Sequence, residues 1–206
     1  MTRRLLLVSV LLGLCALGGP VRAQGQGEQE DPSRPRFKRD QGTAAGLQDR
    51  LGELLQALGA EQADKARELL TAMAPDEKVV DDAFAPDANQ AIKQRLLEHS
   101  KALFAGEPQE VAKRLKLDPA YSEVIVYEAT TEDLQSMEAE TDAARHFAGG
   151  LRRAASLLRP RVKFYAVQLR KPESPETEAG IRLQIFVHYE GRYVLLGKIW
   201  KLEEKS

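Results

Sequence analysis

The chain predicts an α+β domain in which N-terminal helices pack on a C-terminal antiparallel sheet that ends in a β-hairpin. Three observations carry this. Apolar residues recur at helical spacing between Leu47 and Phe104. From about Tyr121 the apolar residues become β-branched and aromatic. Glu190-Gly191 then stands as a turn between two such runs.

In the helical part, residues 46–117, Leu47, Leu51, Leu54, Leu55 and Leu58 fall on one face of a first helix that Gly59 stops. A second runs from about Glu61 to Met73, striped by Ala66, Leu69, Leu70 and Met73, and forms an antiparallel pair with the first. Asp76 caps a short helix carrying Val79, Val80, Ala83 and Phe84. Pro86-Asp87 opens a longer one through Ile92, Leu96, Leu103 and Phe104, and Pro108 to Leu115 supplies further turns.

The mainly β part, residues 120–202, starts with a strand at Glu123–Tyr127. Thr130, with Glu132 and Asp133 behind it, starts an intervening helical stretch, because its hydroxyl suits free amides and the acids suit the positive helix end. That stretch is interrupted at Gly149-Gly150 and closed by Pro160. Val162–Leu169, Ile181–Tyr189 and Tyr193–Trp200 are the remaining strands, with a polar loop from Lys171 to Ala179.

Ahead of the domain, Arg3-Arg4 precedes an apolar run from Leu5 to Leu17, and Val21-Arg22-Ala23 has the small-residue spacing of a cleavage site. Residues 1–23 read as an export signal, too short to span a bilayer, so a periplasmic or secreted location is expected, with no transmembrane segment once the signal is removed. Residues 24–45 are polar and nearly free of aliphatic side chains, which reads as a disordered leader. The only cysteine, Cys15, lies within the signal, so removal excludes disulfides, thiolate ligands and cysteine nucleophiles together. Removal also takes Arg3, Arg4 and Arg22 from the 30 basic residues, leaving 27 against 31 acidic ones, a net of −4. This mixed, mildly acidic balance argues against nucleic acid as a partner.

The hairpin decides which side chains share a face. A two-residue loop needs positive φ at both Glu190 and Gly191, which costs about 1–2 kcal/mol at the glutamate. A three-residue loop, Tyr189 to Gly191, needs it only at the glycine and is the expectation. Val187 then opposes Tyr193, Ile185 opposes Leu195, and one face is apolar throughout. The other face carries Arg182, Gln184, Phe186 and His188, opposite Arg192, Val194, Leu196, Lys198 and Trp200. Of these, Gln184, Phe186, His188, Val194, Leu196, Lys198 and Trp200 form the candidate surface for a protein partner, a small molecule or a second copy of the chain.

Catalytic and metal motifs are sparse. His99, His146 and His188 lack the i, i+4 spacing by which two imidazoles share a metal, and neither a nucleophile elbow nor a phosphate loop occurs. No cofactor is expected. Glu138, Glu140 and Asp142 alternate like the start of a calcium loop, but Ala143 stands at the glycine position and Gly149 at the bidentate-acid position. Arg152, Arg153, Arg159 and Arg161 cluster around Pro160, as an anion clamp or as a solvated helix end.

The stretch from Thr130 to Trp200, with "ATTEDL" (from Ala129), "FAGGLRRAASLLRP", "FYAVQL" and "EGRYVLLGKIW", resembles uncharacterised exported bacterial proteins, a resemblance that implies no activity. The closing pattern of aromatic strand, Gly-Arg-Tyr turn and final strand ending in Trp is similar to the end of nuclear-transport-factor-2-like cone domains. That resemblance implies helices on a curved sheet with a pocket. Two functional expectations follow: a non-catalytic exported domain that binds through one sheet face, or a pocket enzyme moving protons with His188 as base or acid and Tyr165 or Tyr193 as donor.

Overall fold

A computed structural model describes residues 42–137, 141–173 and 180–203. The expected signal, most of the expected leader, Glu138, Glu140 and much of the Lys171–Ala179 loop lie outside the described residues. Helix α1 spans Ala44–Gly59, so the last two residues assigned to the leader are helical. Thr43 sets this start, its hydroxyl accepting from the Gly46 amide at 3.0 Å. Helix α2 is Ala63–Met73, and α3 is Glu77–Ala83 with Asp76 as the expected cap. Helix α4, Gln90–Phe104, begins later than Asp87 because Asn89 caps it. Helix α5, Pro108–Leu115, ends on Lys116 in the left-handed region.

The sheet is antiparallel, in the order β1-β2-β3-β4: Glu123–Thr130, Lys163–Arg170, Ile181–Tyr189 and Arg192–Leu195. Between β1 and β2 lie α6 (Thr131–Gln135), α7 (Asp142–His146), α8 (Leu151–Ala154) and a 3₁₀ turn, with α9 (Trp200–Glu203) after β4. Thr130 and Asp133 exchange hydrogen bonds as a capping box, which is why the chain leaves β1 directly into α6. The α+β class is thus the observed one.

Both faces of the sheet are covered, which corrects the expectation of one covered and one mixed face. On one side α1, α2 and α5 bring Leu51, Leu54, Leu70 and Val111 onto Tyr165, Val167, Leu183, Phe186 and Leu195. On the other, α3, α4 and the α6–α9 segments bring Val80, Leu96, Leu134 and Leu151 onto Phe164, Ala166, Val187 and Val194. Each large apolar side chain so buried contributes about 1.5–3 kcal/mol.

Arginines join the helix ends of this cysteine-free region. The Arg192 guanidinium donates to the carbonyls of Ala72 and Ala74 and to the Asp76 carboxylate, tying the end of α2 to the start of α3. Arg159 donates to the carbonyls of Asp81 and Asp82 at the end of α3, and Arg114 to those of Leu103 and Ala105 at the end of α4. Carbonyls without helical partners are satisfied in each case. Arg159 therefore serves the fold and not an anion clamp.

Three backbone features correct the predicted hairpin. Tyr189 pairs with Arg192 and His188 with Tyr193, so the loop has two residues, with φ of 47° at Glu190 and 83° at Gly191. Glu190 meets Lys78 of α3 at 2.7 Å, an exposed pair that offsets part of the strain. Second, Ile185 sits at φ 63°, in a bulge at which the β2 register shifts from Tyr165–Phe186 to Ala166–Gln184. Third, β4 stops at Leu195, since Gly197 at φ 74° turns the chain and Trp200 opens a helix where a strand end is expected.

Candidate functional site

These three features scatter the predicted surface. The bulge turns Gln184 to one side of the sheet and leaves Phe186 and His188 on the other, while the two-residue turn sends Val194 and Leu196 away from Phe186. Gln184, Phe186, His188, Val194 and Leu196 are all buried, Phe186 and Val194 completely. Lys198 is exposed and Trp200 half-buried. Trp200 lies on Gly150, where a Cβ would come within 2.6 Å of its ring, so Gly150 makes room for the indole, while a Cβ at Gly149 would meet nothing within 4 Å.

His188 and Tyr193 also serve structure. The Tyr193 hydroxyl accepts from the Thr43 amide at 2.9 Å and donates to the Thr43 carbonyl at 2.8 Å, clasping the start of α1. His188 lies against the Tyr193 ring, with centroids 4.8 Å apart, beneath Gly42. Tyr165 is completely buried and meets Tyr193 edge to face. None of the three lines the larger groove.

That groove lies elsewhere, where β4 ends. It has a volume of about 770 Å³, between the second half of α4, the end of α5, the first half of β3 and the segment after β4. Its floor is apolar: Leu103, Leu115, Leu183, Leu195 and Leu202. Its rim is cationic, with Arg114, Lys116, Arg182, Lys198 and Lys201, and His99 among them. No carboxylate lines it among the described residues. Lys116, Arg182, Lys198 and Lys201 are exposed, and none forms an ion pair with a described residue.

Of the predicted site residues, Gln184, Leu196 and Lys198 line this groove. The Gln184 side chain is already committed: its oxygen accepts from the Ala148 amide at 2.7 Å and its nitrogen donates to the His146 carbonyl at 3.3 Å. The sequence reading missed Arg114, Lys116, Lys201 and His99 as a group, since nothing in their spacing joins them. Only the topology does. The isolated Gly197 inside a strand-like run is the one local signal that β4 breaks there.

Beside the groove, His146 stacks on Tyr127 with ring centroids 3.5 Å apart. Burial pushes its pKa below the ordinary histidine value, and the Arg182 charge adds to that. A cationic rim over an apolar floor can hold an anion by its charge and an attached hydrocarbon by burial. The described residues hold no cluster of metal-ligating side chains, and no helix among them is long and apolar enough to cross a membrane.

Compared with protein-family models, curated proteins and solved structures, the chain matches none of them.

Proposed function

We propose that this chain is an exported binding domain whose site is the groove at the end of β4, and that the site takes an amphipathic anion. The observation that carries the reading is the meeting over a leucine floor of Lys116, Arg182, Lys198 and Lys201, none of them ion-paired among the described residues. Like charges that share a rim repel, so an anion set among them gains from every one. The apolar floor adds about 25 cal/mol per Å² of hydrocarbon covered. The export reading rests on the basic start, apolar run and small-residue spacing of residues 1–23.

The test is calorimetric titration with monododecyl phosphate below its micelle concentration. The chain should bind it at one site, and the pair Arg182→Glu and Lys198→Glu should weaken binding at least tenfold at unchanged melting temperature. Equal binding by that double variant would reject the groove as the site.

A further inference from the structure

The groove is bounded by an unfinished sheet edge. Strand β3 runs from Ile181 to Tyr189, yet β4 pairs only with Phe186 to Tyr189. The Leu196 amide donates to the Ile185 carbonyl at 2.7 Å, and there the ladder ends. Ile181 to Gln184 are paired with β2 on one side alone. In an antiparallel strand, alternate residues turn their N–H and C=O to opposite sides. Half of the groups in this stretch therefore face the groove, with no strand opposite them among the described residues.

We infer that the groove takes an extended, acidic peptide segment that adds as a strand beside Ile181–Gln184, in line with β4. The inference rests on the groove being the binding site and goes further by naming the class of occupant. Backbone hydrogen bonds to the open edge supply register, and alternate side chains supply selectivity. Side chains turned toward Leu183 and Leu115 meet apolar surface. Carboxylates on the segment meet Arg182, Lys198 and Lys116 on the groove rim. Four added residues span about 13 Å. A second, shallower groove shares Lys116 and Ile181 with the first and passes Tyr121 and Lys113, so a longer segment has a path beyond the edge.

The charge pattern argues for an acidic occupant. Exposed edges invite indiscriminate pairing, and lysines at an edge disfavour pairing with neutral or basic strands. Here the cations stand around the open half of β3, so they discriminate among incoming strands by charge.

The experiment is selection of random dodecapeptides on the full chain, followed by affinity measurement on synthetic copies. Enriched peptides should carry acids alternating with apolar residues. Methylating alternate backbone nitrogens of such a peptide should cost at least tenfold in affinity in one of the two registers, and so should Arg182→Glu with Lys198→Glu. Peptides that tolerate methylation in both registers would overturn strand addition. Binding of monododecyl phosphate with no peptide enriched would overturn the peptide and leave the groove standing. Absence of both would overturn both readings.

Discussion

The two halves of β3 lie in one strand and have different fates. From Phe186 to Tyr189 the strand is paired with β4, and at Phe186 and Val187 with β2 as well, and it is buried throughout. From Ile181 to Gln184 it has β2 alone, and Arg182 is exposed. The division falls at Ile185, whose left-handed backbone forms the bulge, and opposite Leu196, the last residue before Gly197 turns β4 away. One half builds the core and the other borders a charged groove. The lesson is that a site can arise from where a strand stops.

The comparison breaks most directly by truncation in each half. Phe186→Ala, at a fully buried position, should cost about 3–5 kcal/mol in a denaturant titration. Ile181→Ala, at a half-buried position, should cost about 1 kcal/mol. Equal costs would mean that both halves carry the core alike.

Next in size is a test of the clasp that Tyr193, from β4, makes on α1. A Cβ at Gly46 would fall 2.4 Å from the Tyr193 hydroxyl, whereas one at Gly52 of the same helix meets nothing within 4 Å. Gly46→Ala should destabilise by about 1–3 kcal/mol, and Gly52→Ala should stabilise by about 0.5–1 kcal/mol. Melting temperatures that move in the same direction would contradict the clasp. Smaller again, Glu190→Asn should stabilise the turn by about 0.5–1 kcal/mol, since asparagine tolerates positive φ and the Lys78 pair it gives up is exposed.

The smallest effect is a pH dependence beside the open half. The folded pKa of His146 lies below its unfolded value, so the neutral ring is the form that folding favours. Its contribution to stability is full above the unfolded value and is lost as pH falls through the folded one. Arg182→Glu replaces a charge that lowers this pKa with one that raises it, and should move the His146 proton titration upward in NMR while leaving stability at neutral pH within about 0.5 kcal/mol. An unmoved titration would place Arg182 too far from His146 to matter.

Much of the architecture was legible because local chemistry dictates it. The leucine stripe of α1, the Asp76 cap and the Thr130 helix start are found where the side chains require them. The extent of β3 follows likewise from its β-branched and aromatic run. The face assignment was not legible. It turned on positive φ at Glu190 and Ile185, conformations that neither residue favours and that packing and an ion pair from Glu190 to Lys78 of α3 support. The two-residue turn and the bulge part Gln184, Val194 and Leu196 from Phe186 and His188, and with helices over both faces the mixed face disappears. The groove was hidden for a different reason. Arg114, Lys116, Arg182, Lys198 and Lys201 come from three separate stretches of the chain and meet only after α4 and α5 have packed beside the end of β4.

The central claim is that binding occurs at the open half of β3 and not on the sheet faces. An amide NMR titration of the chain with monododecyl phosphate tests it most directly. The amides of Arg182, Leu183, Gly197 and Lys198 should shift progressively and saturate, while those of Val187 and His188 stay in place. Saturable shifts centred on Val187 and His188, with the groove amides unmoved, would contradict it.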